Sequence, residues 1–258
     1  MKTSGLAVYI VLSAGYLAAQ SIASAQPHEP TWQPAPPGDP LADPWISEAG
    51  FDVAHPELRE RAKGMQAYSR GDYEAALRYF RRAAYHADKA SQGMVAEMLW
   101  NGSGTQRDRA LAYAWMDLAA ERGYRTLAIK REAYWSALDQ DERRRALEQG
   151  KELYARYGDD VALPRYATRL RIERAKTTGS RTGFASNMQI WVPAGMNANN
   201  GSPSYVTLDG SRFYARKYWD PELYTKWSDA RWTAEVEAPR IGQVEVRELE
   251  PVREPDEP

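Results

Sequence analysis

A single helical pattern occurs twice in the chain, as DYEAALRYFRRAA at residues 72–84 and as DRALAYAWMDLAA at residues 108–120. Each copy opens on an aspartate, carries an aromatic residue in its middle and ends on a pair of alanines. The second copy begins 36 residues after the first. A fixed offset of this size is typical of a repeat array, in which each helical unit buries its apolar face against its neighbour.

The two copies and their surroundings predict two helical hairpins. We expect helices over residues 57–69, 73–86, 90–100 and 109–122. Asp72 and Asp108 are suited to N-capping because a carboxylate accepts hydrogen bonds from the free amides of the first helical turn. Gly102 and Gly104 predict the turn between the third and fourth helices. Trp115 is expected to fill the core beside the paired alanines.

These features resemble the SEL-one-like repeats, a branch of the tetratricopeptide-type helical repeats. In the second unit the matching residues are Ala96, Leu99, Gly102, Gly104, Asp108, Trp115, Ala119, Ala120 and Gly123. The first unit has Asp72, Tyr79, Ala83 and Ala84 but lacks the Gly-x-Gly turn. The resemblance covers about residues 57–157. It implies a mainly α fold, a short array of helical hairpins that forms an α-α superhelix, and a scaffold role in protein complexes.

Three more helices are expected after the second unit, the first of them as the start of an incomplete third unit that lacks the glycine turn. Their ranges are 127–138, 142–157 and 160–176, which brings the predicted helical repeat domain to residues 56–176. The second of them is highly charged, as a capping helix must be when its outer face meets water. Pro164 is expected in the first turn of the last helix, or to delay the start of that helix.

The N-terminus predicts a bacterial export signal over residues 1–25. Lys2 precedes an apolar run, and Ala23-Ser24-Ala25 offers the small residues that a signal peptidase needs, so we expect cleavage after Ala25. The alternative is a retained membrane anchor, but the run is short for a bilayer core. The chain has no cysteine for lipid attachment. We therefore expect a periplasmic or secreted protein without a stable membrane anchor after cleavage.

The regions flanking the helical domain have different compositions. Residues 26–55 are rich in proline and predict an extended linker, with a recognition segment for a proline-binding partner as the alternative. Residues 177–249 predict an irregular extension with short strands at 188–192 and 205–208, a third at 213–215, a helix opened by Pro221 and an edge strand at 240–249. The acidic residues 250–258 are expected to be disordered.

The sequence contains no motif from which a reaction can be argued. The three histidines are scattered, and we find no HExxH helix, G-x-S-x-G turn or phosphate-binding loop, so we expect no catalytic residue, metal site or cofactor. Some relatives in the repeat family have been linked to hydrolase activity, which leaves an enzyme as a third alternative. The loop at 179–183 is either a hinge or an anion cradle completed by Arg181.

The leading hypothesis is a non-enzymatic adaptor of the cell envelope that binds a protein or peptide. A net charge of −1 gives no general attraction to nucleic acid. The alternative is binding of cell-wall glycan or peptidoglycan through aromatic residues of the extension, although we favour docking of these residues onto the helices. Candidate contact residues are Tyr68, Glu97, Met98 and Trp100 in the repeats, Arg181 in the loop, and Trp191, Tyr218, Trp219 and Trp227 in the extension.

Overall fold

The computed structural model describes residues 44–176, 188–197 and 201–237, and its centre is the predicted array of helices. The array consists of α3 (Pro56–Ser69), α4 (Tyr73–Ala84), α5 (Lys89–Asn101) and α6 (Arg109–Ala119), with a turn of 3-10 helix at Ala120–Arg122. Each of these helices packs against the next one in the chain. The mainly α repeat fold is thus confirmed.

The predicted caps define where these helices begin. The Asp72 carboxylate accepts a hydrogen bond from the Ala75 amide at 3.1 Å, and the Asp108 carboxylate accepts one from the Leu111 amide at 3.1 Å. Asp88 caps α5 in the same way, through the Ser91 amide at 3.0 Å, although the sequence analysis did not assign it. Each cap satisfies an amide that the helix itself leaves without a partner.

Small residues let the repeat helices approach closely. Ala83, Ala84 and Ala119 are fully buried, and Trp115 is only 3% exposed, as expected for a core residue beside them. The Trp115 ring packs against Tyr157 with ring centroids 4.8 Å apart. Because a methyl group occupies little space, large rings from neighbouring helices fill the room beside the alanines.

Three helices close the array, as predicted. They are α7 (Arg125–Ala137), α8 (Gln140–Tyr157) and α9 (Asp159–Ala175). α8 packs against α6 and begins with a reciprocal capping box between Asp139 and Glu142. The expectation for Pro164 was wrong, because α9 begins at Asp159 and Pro164 lies inside the helix beyond its first turn. A proline there removes one backbone hydrogen bond without ending the helix.

Regular structure begins earlier than the sequence predicted. Residues 44–55 were expected to belong to the linker, but they form α1 (Pro44–Glu48) and α2 (Phe51–Ala54). Ile46 and Phe51 are buried, because they pack with Tyr166 of α9 and with the extension. The predicted linker is therefore wrong for residues 44–55, where apolar side chains contribute to a core.

The extension forms a hairpin followed by short helices. Strands β1 (Gln189–Met196) and β2 (Pro203–Asp209) pair antiparallel, with Val192 opposite Val206. The predicted third strand at 213–215 was wrong. Instead, α10 (Gly210–Phe213) begins at an Asp209 cap and is followed by α11 (Arg216–Trp219), the predicted Pro221 helix α12 (Pro221–Trp232) and a π-helical turn, Thr233–Glu237.

A second core joins the extension to both ends of the helical body. Its buried residues are Ile46, Phe51, Ala54 and Leu58 from the N-terminal side, Tyr166 and Leu170 from α9, and Phe213, Tyr218, Trp219 and Tyr224 from the extension. Phe51 contacts the rings of Phe213, Tyr218 and Trp219 edge to face. Most aromatic residues of the extension thus dock onto the helices, as we favoured.

An ion-pair network at the end of the second repeat links four parts of the fold. The Arg122 guanidinium donates to both carboxylate oxygens of Asp159 at 2.6 and 3.1 Å, to Asp229 at 3.1 Å and to the Ala87 carbonyl at 3.2 Å. The buried Lys89 ammonium lies 3.1 Å from the same Asp159 and 2.6 Å from Glu121. A charge that is removed from water is stable only if it is paired with an opposite charge. Arg122 and Lys89 are each paired with two carboxylates.

Several sequence predictions lie outside the described residues. They are the export signal at 1–25, the linker at 26–43, the loop at 179–183 with Arg181, the strand at 240–249 and the tail at 250–258. They stay predictions.

We predict opposite effects for alanine at two helical glycines. A Cβ at Gly64 of α3 would lie 2.7 Å from two ring carbons of Phe80, which is fully buried and has no room to move. Gly64→Ala is therefore expected to lower the free energy of unfolding by about 1–3 kcal/mol. Urea denaturation measures this change.

Gly150 of α8 provides the matched control, because a Cβ there meets no atom within 4 Å. Gly150→Ala is expected to raise stability by about 0.5–1 kcal/mol, since alanine loses less backbone entropy in a helix. Equal effects of the two substitutions would contradict close contact between α3 and α4 at this point.

Candidate partner-binding surface

A cleft of about 490 Å³ lies beside the turn of the second repeat unit. Its walls come from α4, from the loop between α5 and α6, and from the first turns of α6 and α8. The charged residues that line it are Arg81, Arg107, Arg109, Arg145, Asp108 and Glu142. We refer to it as the arginine cleft. Its volume falls within the range of about 300–1,000 Å³ that is usual for ligand sites.

The loop that forms one wall is held in place by its glycines. Gly102 and Gly104 have φ values of +74° and +68°, a region that other residues rarely adopt. A Cβ on Gly104 would lie 2.4 Å from the carbonyl carbon of Tyr73, at the start of α4. The Gly-x-Gly turn therefore brings the loop backbone directly against the start of α4. Arg107 of this loop and Arg81 of α4 line the same cavity.

Arg109 connects the cleft to the repeat core. Its guanidinium lies 5.0 Å from the ring centroid of Trp100, pairs with Glu142 at 3.3 Å and donates to the Ala137 carbonyl. Trp100 in turn stacks on Tyr134, with centroids 3.9 Å apart and planes 13° apart. Trp100, which the sequence suggested as a contact residue, thus supports the wall of the cleft through Arg109.

The other candidates in the repeats occupy different environments. Tyr68 is half-buried and contacts Tyr73 edge to face at 5.0 Å, while Glu97 forms an ion pair with Lys130. Met98 is only 1% exposed and belongs to the main core. The assignment of Met98 as a contact residue is corrected for this reason, because no partner can reach a side chain that the neighbouring helices cover.

The candidate contact residues of the extension also differ in how exposed they are. Tyr218 and Trp219 are 4% and 5% exposed and lie in the second core, so their assignment as contact residues is also corrected. Trp227 is half-buried and packs edge to face against Tyr218. In contrast, Trp191 is 64% exposed and Tyr205 is 50% exposed. Their ring centroids lie 6.1 Å apart on the hairpin, and we refer to this pair as the hairpin aromatics.

The arginines of the cleft were not predicted from the sequence. A signal was present, because Arg107 and Arg109 flank the cap Asp108, and α8 carries the run Arg143-Arg144-Arg145 after its acidic first turn. The high charge of α8 predicted a water-facing cap and did not by itself indicate a binding surface. The contribution of Arg81 has no local signal, since it reaches the cleft from the other repeat.

A separate cluster of polar side chains is buried in the second core. Glu57 accepts hydrogen bonds from the hydroxyl groups of Tyr166 at 2.9 Å and Tyr224 at 2.5 Å. The His55 Nδ1 atom lies 2.7 Å from the Tyr166 hydroxyl. Because that hydroxyl gives its one proton to Glu57, His55 acts as the donor to Tyr166. We refer to His55, Glu57, Tyr166 and Tyr224 as the glutamate cluster.

The cluster keeps its carboxylate ionised. Burial raises the pKa of Glu57, but hydrogen bonding and electrostatic attraction from His55, with the hydrogen bond from Tyr224, lower it by more. The net result is a pKa below the usual value of 4.5. Burial and the nearby charge of Glu57 raise the pKa of both tyrosines well above their usual value, so they remain donors.

The described part of the chain has neither a metal-binding cluster nor a membrane-spanning helix. Within residues 44–176, 188–197 and 201–237, no three His, Asp or Glu side chains come together in a way that could hold a metal ion. None of the helices in these ranges combines the length and apolar character needed to cross a bilayer.

The family comparison matches the two units on which the fold is built. A model described as the Sel1 repeat matches residues 63–88 and again residues 89–124. The chain carries two Sel1 repeats. The second Sel1 repeat includes α5, α6 and the Gly-x-Gly turn, and therefore supplies one wall of the arginine cleft. Sel1 repeats are generally protein–protein interaction modules, and the family is a non-catalytic scaffold family.

Beyond the two repeats, similarity to known proteins is weak. A solved structure that is similar to the chain is a protective antigen present in uropathogenic Escherichia coli strains, described as displaying an SLR fold. The match has 21% identity and a TM-score of 0.37, and it covers 48% of this chain. It covers only 26% of the antigen, so the chain spans about a quarter of that protein. No curated protein matches the sequence significantly.

The glutamate cluster predicts a loss of stability in acid. A carboxylate with a lowered pKa in the folded state stabilises the fold above its unfolded pKa, and this stabilisation disappears as the pH falls through the folded pKa. The free energy of unfolding should therefore decrease as the pH falls from about 6 to below the 4.5 that is usual for glutamate. Glu57→Gln should lower stability by about 1–3 kcal/mol at neutral pH and reduce the acid dependence.

Denaturation of both proteins across this pH range measures the effect. Some acid dependence should remain in the variant, because the pKa of Asp159 is also lowered. Glu48→Gln serves as the control, since Glu48 is exposed on α1. A Glu57→Gln protein with the full acid dependence of the wild type would show that Glu57 does not carry this charge.

Proposed function

We propose that this protein is a non-enzymatic scaffold that binds a protein partner in the bacterial cell envelope. The two Sel1 repeats support an interaction role, because repeats of this family are generally protein-binding modules. The single observation that carries the proposal is the arginine cleft, an open cavity with one wall formed by the second repeat. Repeat folds use such surfaces because regular packing holds the contact residues in a fixed arrangement.

The envelope location is a separate part of the proposal. It rests on the predicted signal at residues 1–25, with its apolar run and its small residues before Gln26. An exported chain without cysteine folds without disulfides, so packing and ion pairs must hold it together. The two cores and the Arg122 network are consistent with this requirement.

Site-specific photo-crosslinking in intact cells tests the proposal. A photoreactive amino acid at Gln106, an exposed residue of the cleft, should capture a discrete protein that mass spectrometry identifies. The same group at Arg171, an exposed residue of α9 away from the cleft, is the control and should give no such product. Fractionation of these cells should place the protein in the envelope, with Gln26 as its first residue.

The outcomes separate the two parts of the proposal. A partner captured equally from Arg171 would contradict the cleft as the contact surface. A chain that retains residues 1–25 in the cytoplasm would contradict the location and leave the scaffold role to be judged by the crosslink alone.

A second candidate function is binding of cell-wall glycan by the hairpin aromatics. What favours it is that Trp191 and Tyr205 are exposed and adjacent, while most aromatic residues of the extension are buried. Exposed rings of this kind stack on the apolar faces of sugars. Deleting the extension would not test this idea, because the deletion would expose the second core and unfold its neighbours.

Point substitutions provide a cleaner test. Trp191→Ala combined with Tyr205→Ala should abolish co-sedimentation with purified cell wall while leaving thermal stability nearly unchanged, since exposed side chains contribute little to the core. Tyr85→Ala removes another exposed ring and should have no effect. Co-sedimentation that survives the double substitution would rule out the hairpin aromatics as the binding surface.

A further inference from the structure

The carboxylates of the arginine cleft are already occupied. Asp108 caps α6 and also lies 3.8 Å from Arg145. Glu142 accepts a hydrogen bond from the Asp139 amide at 3.0 Å and pairs with Arg109 at 3.3 Å. Both acidic groups are therefore fixed by helix capping and by ion pairs within the wall. They are not available to neutralise a further cation.

Two of the four arginines have no such partner. Within the residues that the structure describes, the side chains of Arg81 and Arg107 form no hydrogen bond and no ion pair, and both residues are exposed. One reaches the cleft from α4 and the other from the loop after α5, so they flank the cavity from two sides. A guanidinium presents five N–H donors in a planar fork, which suits a carboxylate better than any neutral group.

The other groups that line the arginine cleft increase its positive electrostatic potential. Four arginines face two carboxylates, which leaves a surplus of two positive charges in the lining. The walls also include the first turns of α6 and α8, where the free amides of a helix carry partial positive charge. An anionic group entering the cleft would meet donors whose positions are set by the glycine turn and the capping box.

We propose that the arginine cleft binds an acidic segment of a protein partner, with side-chain carboxylates paired to Arg81 and Arg107. The inference rests on the proposed scaffold function and specifies the chemistry of the partner. A nucleic acid fits less well, because a continuous row of phosphates would pass Asp108 and Glu142, and the whole chain has a net charge of −1. A volume of about 490 Å³ has room for a few side chains.

Binding of a defined probe tests the proposal. A short fluorescein-labelled polyglutamate peptide should bind the full-length mature protein, and affinity should fall as salt is added, because exposed charges are screened. A polyglutamine peptide of equal length should not bind. Arg81→Gln combined with Arg107→Gln should weaken polyglutamate binding by at least about ten-fold, the lower end of what a hydrogen bond to a charged group contributes.

A matched variant separates recognition from overall charge. Arg171→Gln combined with Arg174→Gln removes the same charge from exposed positions of α9, and its affinity should stay within about two-fold of wild type. Equal weakening in the two double variants would overturn the proposal, as would binding of polyglutamine. Single-stranded DNA that binds the cleft as tightly as polyglutamate would also overturn it, in favour of phosphate recognition.

The two proposals fail in different ways. If a partner crosslinks to Gln106 but polyglutamate does not bind, the scaffold function stands and the acidic specificity is wrong. If polyglutamate binds through Arg81 and Arg107 but no protein is captured in cells, the cleft recognises carboxylates while the scaffold function fails.

Discussion

The bidentate ion pair between Arg122 and Asp159 is the constraint on which the arrangement of the parts depends. Arg122 ends the second repeat, Asp159 begins α9, and the same guanidinium also reaches Asp229 in α12 and the carbonyl of Ala87 after α4. A guanidinium with this many acceptors has one acceptable position, because displacement would leave buried charge without compensation. Burial opposes the charge of Arg122, yet hydrogen bonding and attraction from Asp159 raise its pKa above the usual value.

Much of the helical body could be predicted from the sequence, because its rules are local. Capping aspartates, paired alanines and positive-φ glycines each act within a few residues, so α3 to α9 appear close to their expected ranges. The docking of the extension aromatics onto the helices was expected, but the N-terminal part of the second core could not be predicted. Phe51 lies in a short segment between Pro44 and Pro56, and its partners Tyr218 and Trp219 come from the far end of the chain. Nothing local distinguishes such a residue from an exposed one.

Tertiary packing also explains why only some of the predicted contact residues are accessible to a partner. Met98 and Trp100 are two residues apart in α5, so helical spacing places them on different faces of the helix, about 200° apart. It does not tell which face the neighbouring helices cover. Met98 is covered, whereas Trp100 borders the cleft through Arg109. The arginine cleft itself depends on four separate segments meeting, which is a tertiary property. Trp191 is the clearest case in which an aromatic residue chosen from the sequence is exposed.

The glutamate cluster has a consequence for how the molecule loses its structure. Repeat arrays usually unravel from their ends, because a terminal unit contacts only one neighbour. Here Glu57, near the start of the described helices, is bonded to Tyr224 near their end, with Tyr166 between them. Neither end can fray without breaking the contacts of the other. A short repeat protein joined in this way is expected to unfold as a single cooperative unit, much as an ordinary globular domain does.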